Sequence, residues 1–590
     1  MISAIKHTYY VYKNSCDIVI QFEQIIFRGF AFFCNFVRNA IFGFCNMKPS
    51  TEIKHILLLY TDRYYFVNQV YPFGLDIIAH HLRQHGYTVS VDYPFLESPD
   101  PKNNLERIIG TSKPDLIGLG LRNLDTAISC EPFGDHEYPD FRTFYFLPDV
   151  DRVVRIIRNI DPRIPMILGG GAFTIAPVPI MKKLGIEYGI VGEGEKPLIR
   201  FLEAFPDKEK MAGIENMVFR HKGNYHIQHR RSYRFIEKGE IFRREKTFNY
   251  TYETTGMPVR TKRGCNQTCS YCVEPIIEGR RFSFKNHEIV IKELEFIAKT
   301  YDQVRSIFIT DTEFNIPDLS HCRALVEEII AAGLHERFRF SSQFLPRPFD
   351  SAFADLLGRA GFSVILTCDS FANEVLEKNR APHREKDIVN AIELCSRFRI
   401  DCTVCLIFGL PGENHVTVEH TLEQIRQYPM DDLRRYEYTM GGRIYQGTFL
   451  SQIAEKEGRN LYGQKSEGCL DPFYYCSPES PLKLKQYVEE RLPFSMEYKN
   501  ADNEAARQIL AVAYLVDKKR WDEAVDWFFK IDLLAKVAIF DYLFRSLSNS
   551  GRIKSAKIVS RNILDHINNS GKQDQYAEQI SLIRFYSSLL

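Results

Sequence analysis

Three cysteines in one short segment carry the clearest chemical signature of this chain. Cys265, Cys269 and Cys272 have the spacing C-x3-C-x2-C, and Tyr271 directly precedes the last of them. Thiolates are soft ligands that favour iron–sulfur centres, so these side chains could bind three irons of a cubic 4Fe–4S cluster. No fourth cysteine stands at comparable spacing. The fourth iron would therefore keep an open position, which is typical of a catalytic metal centre.

Composition places this motif in a large chain without a strong overall charge. The chain has 590 residues, 76 of them basic and 75 acidic. This length predicts roughly three or four domains. The charge balance provides no general attraction to nucleic acid or to a membrane. The 14 cysteines are dispersed apart from the motif, which favours metal binding in a reducing cytoplasm over a secreted disulfide framework.

Residues 1–52 differ from the rest of the chain. The stretch 18–44 is rich in Phe and Ile, but Glu23, Arg28 and Arg38 interrupt it. It has no apolar run of about 18 residues, so a spanning helix is not expected. No small-residue cleavage site follows a short apolar core, so a signal peptide is not expected either. Two interpretations remain. One is an amphipathic helix on a membrane surface; the other, which we favour, is a dispensable extension before a second start at Met47.

Residues 53–210 alternate between apolar strands and helices. Strands are predicted at Ile56–Tyr60, Thr88–Val91, Leu116–Gly120, Met166–Leu168 and Tyr188–Val191, with helices at Gly74–His85 and Val153–Arg158. This pattern predicts a Rossmann-like, doubly wound parallel sheet, which binds ligands beyond the carboxyl ends of its strands. Those ends carry Asn123 within Leu121–Asp125, then Gly169, Gly170 and Gly171, then Gly192, Glu193, Gly194 and Glu195. Residues 211–250 are interpreted as a linker.

A second α/β domain is predicted over residues 251–450, with six strand–helix units. Its strands are expected at Val259–Arg260, Ser306–Thr310, Arg337–Phe340, Ser363–Thr367, Cys402–Phe408 and Tyr436–Tyr445. In barrels, the chemistry lies at the carboxyl ends of the strands. The polar and glycine-rich segments that follow these strands are Asp311–Asn315, Cys368–Ser370, Gly409–Glu413 and Arg443–Thr448.

The order of these parts resembles the cobalamin-binding radical S-adenosylmethionine (SAM) enzymes, over about residues 53–480. The resemblance implies a partial (βα)6 barrel in which the open iron chelates SAM, and a first domain that holds cobalamin through the residues named above. It also implies SAM contacts by Tyr271, Glu313, Asp369, Ser370, Gly409 and Pro411. Two departures are evident. The D-x-H-x-x-G motif with its axial histidine is absent, which leaves Leu121–Asp125 as candidate lining below the cobalt, and Gln446 replaces the proline of the family's R-I-Y-P-G-T segment.

The activity that this resemblance implies is C-methylation of an unactivated carbon. SAM would be cleaved to a 5′-deoxyadenosyl radical that abstracts hydrogen, and methylcobalamin would donate the methyl group. The expected substrate is a small molecule or natural-product intermediate, and the expected electron donor is a flavodoxin or ferredoxin. Nucleic acid is not an expected partner. A non-methylating cyclase or rearrangement enzyme remains an alternative, as does a cobalamin or iron–sulfur sensor with a partner-docking helical tail.

The remaining segments carry weaker signals. Cys402 and Cys405 lie in a predicted strand, where residues three apart point to opposite faces, so core packing is favoured over a second metal site. Residues 451–500 are interpreted as an extension of the barrel. In residues 501–590, Ala524 and Ala556 stand in similar contexts, and the segment weakly resembles tetratricopeptide hairpins. It is expected to be helical and to pack on the barrel.

Overall fold

The structure is a computed structural model. It describes residues 53–62, 71–95, 101–131, 136–228, 243–244, 256–302, 304–492, 496–498, 508–509, 512–513, 515–516 and 519–588. The N-terminal extension, residues 1–52, lies outside the described residues. In the part of the chain that is described, no helix is both long and apolar enough to cross a bilayer.

A seven-stranded sheet with flanking helices forms the first domain. Its strands and a separate short pair are β1 (His55–Tyr60), β2 (Thr88–Asp92), β3 (Leu116–Gly120), β4 (His136–Glu137), β5 (Arg142–Thr143), β6 (Met166–Gly169), β7 (Tyr188–Ile190), β8 (Met217–His221) and β9 (Asn224–Ile227). The helices are Phe73–Gln84, Lys102–Ser112, Leu147–Ile160, Gly171–Ile175, Pro177–Leu184, Glu195–Ala204 and Lys208–Met211. The sheet order is β2-β1-β3-β6-β7-β8-β9. Strands β1, β2, β3, β6 and β7 are parallel, which confirms the predicted Rossmann-like fold class.

The sheet continues beyond residue 210, into the span interpreted as a linker. Strands β8 and β9 form an antiparallel hairpin that pairs with β7. Lys222 and Gly223 join them, both with positive φ, as two-residue hairpin turns require. The part of the predicted linker over residues 217–227 is therefore corrected to the edge of the first sheet. The missed local signal was Gly223, which marks the turn after the apolar start of β8.

The second domain is built on another seven-stranded sheet. Its strands and the neighbouring short ones are β10 (Met257–Val259), β11 (Lys262–Arg263), β12 (Ser283–Phe284), β13 (Ser306–Ile309), β14 (Arg339–Phe344), β15 (Phe362–Asp369), β16 (Asp401–Phe408), β17 (Arg434–Met440), β18 (Gly442–Arg443), β19 (Leu461–Gly463), β20 (Phe473–Tyr475) and β21 (Met496–Tyr498). The helices are Glu274–Ile277, His287–Thr300, Leu319–Ala331, Leu334–Arg337, Ser351–Arg359, Asn373–Lys378, Glu385–Arg397, His415–Gln427, Phe449–Glu457 and Pro481–Glu489.

The main sheet of this domain has the order β10-β13-β14-β15-β16-β17-β21, with all neighbouring strands parallel. The first six strands are those predicted from the sequence. Strand β21 adds a seventh from the span interpreted as a barrel extension. Because β10 and β21 stand at opposite ends of this order, the sheet is a partial barrel in which all carboxyl strand ends lie at one rim.

The C-terminal segment is helical, as predicted, with helices Trp521–Lys530, Leu533–Asn549, Ile553–Ser570 and Ala577–Ser588. Ala524 and Ala556 are both fully buried between them. Their shared apolar cluster also includes Phe144 and Phe146 of the first domain and, within the described residues, no strand of the barrel sheet. The apolar contact of this segment is thus with the residues that directly follow β5, and its expected packing on the barrel stays a prediction.

Candidate functional site

The cysteine motif lies at the carboxyl rim of the second sheet, in the loop after β11. Cys265 is buried, and Cys269 and Cys272 are half-buried. Burial is the largest cause that raises the pKa of each of the three thiols. Without metal, the thiols are therefore neutral, and metal binding must displace their protons.

The arrangement of the thiols fits a cluster better than a single ion. In the described part of the chain, no three His, Cys, Asp or Glu side chains converge as the ligands of one metal ion would. A cubane cluster does not need such convergence, because each thiolate binds a different iron. The described cysteines are also all free thiols, so none of the three is engaged in a disulfide.

Two segments of the barrel hold the cysteine loop at its centre, Ser270. The Ser270 hydroxyl donates to Asn379 Oδ1 (2.6 Å), and its backbone N–H donates to Asn379 O (2.9 Å). The backbone N–H of Leu450 donates to Ser270 O (2.7 Å). Asn379 Nδ2 also donates to Pro411 O (2.8 Å). One buried amide therefore connects the cysteine loop to the glycine-rich loop that follows β16.

Asp311 anchors the entrance to the cysteine loop. Its Oδ1 accepts the backbone N–H groups of Thr261 (2.8 Å) and Lys262 (3.1 Å), and its Oδ2 accepts the Thr261 hydroxyl. The Lys262 ammonium lies 3.9 Å from Asp311 and donates to the backbone carbonyl of Glu313. Both charged side chains are almost fully buried. This network fixes the end of β13 against the start of the cysteine loop.

Glu313 places an unsatisfied carboxylate oxygen next to this loop. Its Oε1 accepts the Thr367 hydroxyl (2.9 Å), whereas its buried Oε2 has no hydrogen-bond partner among the described residues. Burial raises the pKa of Glu313 to about 8. A buried polar atom without a partner is unfavourable unless a ligand completes it. The geometry therefore suits a cationic group bound at Oε2.

Tyr271 and Asp369 lie together at the same rim. The Tyr271 hydroxyl donates to Asp369 Oδ1 (2.5 Å). Asp369 has a φ of 61°, a left-handed conformation that is uncommon for residues other than glycine. Burial raises the pKa of Asp369 to about 6, and the Tyr271 hydrogen bond opposes this increase. Backbone strain of this kind is concentrated at functional sites.

Ser370, Gly409 and Pro411 have different surroundings. The Ser370 hydroxyl accepts the N–H of Ala372 (3.1 Å) and lies 3.2 Å from the Thr421 hydroxyl. In this structure the Ser370 hydroxyl is engaged by protein, and its predicted contact with SAM stays a prediction. Gly409 and Pro411 form the tight turn after β16. The Gly409 N–H donates to Glu413 Oε2 (3.3 Å), which shapes this turn.

The glycine loop after β6 faces a neighbouring backbone at one position and open space at another. A Cβ on Gly170 would lie 2.2 Å from Leu121 O, and its φ is +102°. Protein packing therefore explains the glycine at 170. A Cβ on Gly171 would meet Arg122 O at 3.2 Å and Ile277 Cδ1 at 3.4 Å, whereas a Cβ on Gly169 would meet nothing within 4 Å. Gly169 is the glycine of this loop that a ligand could approach.

The loop Gly192–Glu195 contains two acidic residues, Glu193 and Glu195, whose surroundings differ. Glu193 Oε2 is buried without a described partner, and burial raises the pKa of Glu193. Glu195 instead forms an ion pair with Arg263, which directly precedes the cysteine loop. Burial raises the pKa of Glu195, but Arg263, a backbone hydrogen bond and Arg260 together lower it below its usual value. Glu195 therefore makes a contact between the domains, and its predicted role towards cobalamin stays a prediction.

The other two glycines of this loop also meet protein. The Gly192 N–H donates to Thr174 Oγ1 (2.9 Å), and a Cβ on Gly194 would lie 3.0 Å from Ile78 Cδ1. Packing within the first domain is therefore one reason for glycine here. Asn123 is half-buried at the carboxyl end of β3 and shares that edge with Gly169 and Glu193.

The carboxyl edges of the two sheets face each other. Gly171 of the first domain contacts Ile277 of the short helix behind the cysteine loop. Asp125 pairs with Arg443 (Oδ2 to Nε, 2.7 Å), and Glu195 pairs with Arg263. The sequence interpretation missed Asn379, Asp125 and Arg443 as organising residues. Arg443 begins the segment Arg443–Thr448, which resembles a motif of the family, whereas no local sequence pattern marks Asn379.

Comparison with known proteins agrees with this geometry. Residues 259–425 match the radical SAM superfamily. The second domain is a radical SAM domain. A tryptophan 2-C-methyltransferase of Streptomyces laurentii is 25% identical over 480 residues, which cover 69% of this chain and 76% of that protein. An uncharacterized methyltransferase of Pyrococcus horikoshii is 21% identical over 427 residues, covering 71% of this chain and 85% of that protein.

Solved structures extend the likeness to both domains. The radical SAM methyltransferase TsrM from Kitasatospora setae, with cobalamin and a 4Fe–4S cluster bound, has a TM-score of 0.66 at 22% identity, covering 78% of this chain and 96% of that one. The cobalamin-dependent radical SAM enzyme OxsB has a TM-score of 0.60 at 15% identity, covering 89% and 81%. At the level of the fold, the predicted resemblance is confirmed: a Rossmann-like sheet precedes the radical SAM domain.

Proposed function

We propose that this protein is a cobalamin-dependent radical SAM enzyme that methylates an unactivated carbon of a small molecule. The observation that carries the proposal is the face-to-face packing of the two carboxyl edges. The helix Gly171–Ile175 of the first domain contacts the helix Glu274–Ile277 directly behind the cysteine loop. A group bound on the first edge would therefore lie over a group bound on the second.

The radical SAM side would use the residues around the cysteine loop. Cys265, Cys269 and Cys272 would hold the cluster. The unpartnered oxygen of Glu313 would accept the SAM ammonium group, which would also keep this buried carboxylate ionised. Tyr271 and Asp369 would line the same site, and the backbone of Gly409 and Pro411 would contact the adenine and methionine parts.

The opposite edge would hold cobalamin. Gly169 allows close approach of a ligand to the backbone, and the buried Oε2 of Glu193, which has no described partner, could form a hydrogen bond with an amide side chain of the corrin. Asn123, at the same carboxyl edge, would line this cobalamin site. When bound, the cluster and SAM supply a 5′-deoxyadenosyl radical and cobalamin supplies the methyl group; the protein orients these groups and excludes water.

The biological setting follows from the same proposal. A flavodoxin or ferredoxin would reduce the cluster, and a reducing cytoplasm suits the free thiols. The balanced charge provides no basis for a nucleic acid substrate. The relative from Streptomyces laurentii is a tryptophan 2-C-methyltransferase, which supports a small-molecule substrate for this protein. The likeness to OxsB also keeps a non-methylating cobalamin enzyme as a second candidate.

The test uses anaerobically reconstituted protein, with the three motif cysteines changed to alanine in one variant and Cys402→Ala as the matched control. We expect one cluster and one corrinoid per chain in the wild type and in C402A, and no cluster in the triple variant. Dithionite and methyl-labelled SAM should give 5′-deoxyadenosine and labelled methylcobalamin, with S-adenosylhomocysteine as by-product.

Each outcome separates the candidates. Cluster and 5′-deoxyadenosine without bound corrinoid would remove the methyltransferase proposal. Bound corrinoid without methyl transfer from SAM would favour the non-methylating enzyme. Cluster and corrinoid without SAM cleavage would favour a sensor, and absence of a cluster in the wild type would refute the proposal entirely.

A further inference from the structure

A buried ion pair joins the two edges at a second point, away from the cysteine loop. Arg443 lies just after β17, and Asp125 lies in the loop after β3. Arg443 Nε and Asp125 Oδ2 are 2.7 Å apart, with side-chain exposures of 2% and 0%. Burial lowers the pKa of Arg443, but Asp125, Tyr445 and Tyr474 together raise it above its usual value, so the guanidinium stays charged. The contact is therefore a true ion pair between domains.

Further hydrogen bonds engage the other polar atoms of the Arg443 and Asp125 side chains, which makes the geometry of the pair specific. Arg443 Nη1 donates to Ile444 O (2.6 Å), and Nη2 donates to Cys469 O (3.0 Å) and Leu470 O (3.2 Å). Asp125 Oδ1 accepts the N–H of Ala127 (2.9 Å). A planar guanidinium with several fixed acceptors allows one orientation, which a lysine ammonium could not reproduce. Arg443 therefore holds the Asp125 loop rigidly against the barrel.

The pair connects the two proposed ligand-facing loops through a short path. On the first domain, the loop that ends at Asp125 contains Asn123. That loop begins at Leu121, whose N–H donates to Gly169 O (2.9 Å). On the barrel, Gly441 lies two residues before Arg443 and its N–H donates to Phe408 O (2.6 Å), directly before Gly409.

We propose that Arg443 is a positioning residue that sets the cobalamin-facing loop in register with the SAM-facing loop. This inference rests on the proposed function, since it assigns the ion pair a role in holding cobalamin over SAM. In this proposal, Arg443 contacts neither cobalamin nor SAM. It acts through Asp125 on the loop that contains Asn123.

The experiment compares Arg443→Lys and Asp125→Asn with Arg434→Lys. Arg434 is a suitable control because it begins β17, the strand that directly precedes β18 with Arg443. Its side chain is 10% exposed and pairs with Asp431 at 2.6 Å, within the barrel domain. Binding of hydroxocobalamin is measured by optical titration, and the reduced Co(II) form is compared by electron paramagnetic resonance. Iron content, thermal midpoint and 5′-deoxyadenosine formation from SAM report on the barrel.

We expect at least tenfold weaker hydroxocobalamin binding and a changed Co(II) spectrum in R443K and D125N, while iron content and SAM cleavage stay near wild type. R434K should bind hydroxocobalamin normally. Normal binding in both test variants would overturn the inference and leave the proposed function intact. Parallel loss of cluster, fold and hydroxocobalamin binding would also overturn it, since the pair would then be only structural. Failure of the wild type to bind hydroxocobalamin would instead refute the cobalamin part of the proposed function.

Discussion

Replacing Asn379 tests whether one buried amide couples the cysteine loop to the proposed SAM loop. Its side chain accepts the Ser270 hydroxyl at 2.6 Å and donates to Pro411 O and Val375 O, both at 2.8 Å. Asn379 is 1% exposed and Ser270 is fully buried. Asn379→Ala would therefore leave the Ser270 hydroxyl and the Pro411 carbonyl without this partner, and water could not easily replace it.

The expected cost follows from those two groups. An unsatisfied buried polar group costs about 1–3 kcal/mol, so N379A should lower the free energy of unfolding by about 2–6 kcal/mol. Asn379→Asp separates the two contacts. Its carboxylate can still accept the Ser270 hydroxyl but repels the Pro411 carbonyl. We therefore expect N379D to keep its iron and to bind SAM more weakly, whereas N379A should lose both.

The assay combines anaerobic urea unfolding, iron analysis and equilibrium dialysis with labelled SAM. Asn104→Ala is the matched control, because Asn104 is 4% exposed and also makes three side-chain hydrogen bonds, to Tyr93 O, Pro94 O and Arg107. N104A should be destabilised to a similar extent but retain iron and SAM binding. If N379A were destabilised while binding iron and SAM like the wild type, the coupling argument would be wrong.

Three further predictions follow from burial and packing. Burial raises the pKa of Glu413 to about 7, above its value of about 4.3 in the unfolded chain. The folded state thus binds the proton more tightly, and this stabilising effect is lost as pH rises from about 4.3 to 7. The difference in unfolding free energy between E413Q and the wild type should therefore shift by about 2 kcal/mol in favour of E413Q between pH 5.5 and pH 8. Urea titrations that give the same difference at both pH values would contradict this prediction. Gly170→Ala should lower the thermal midpoint, because the positive φ of this residue would strain the backbone of an alanine by about 1–3 kcal/mol. Gly169→Ala should keep the thermal midpoint but weaken hydroxocobalamin binding. Equal thermal midpoints for the two variants would contradict the steric argument. Cys402→Ala and Cys405→Ala should retain the full iron content of the wild type, and loss of iron from either would revive a second metal site.

Much of the fold was predictable because its strands are long apolar segments. The strand predicted at Ile56–Tyr60 is observed at His55–Tyr60, and the one at Cys402–Phe408 is observed at Asp401–Phe408. Buried parallel strands form continuous apolar runs, which are visible in one sequence. The helix Lys102–Ser112 was not predicted. Its asparagines and internal glycine have low helix propensity, and its apolar face is satisfied only by the domain core.

The sequence by itself determined the local chemistry: the cysteine spacing, the glycine loops and the alternation of strands and helices. All of these lie within short stretches of chain, so their spacing is preserved in the printed sequence. Only the tertiary structure decided which protein partners the side chains of these segments have. Ser270 and Asn379 are 109 residues apart, Glu195 and Arg263 are 68 apart, and Asp125 and Arg443 are 318 apart. The first contact depends on how the barrel folds and the other two on how the two domains pack, so none of them leaves a local pattern in the sequence. For this reason the protein partners of Glu195 and Ser370, Arg263 and Thr421, could not be seen in the sequence.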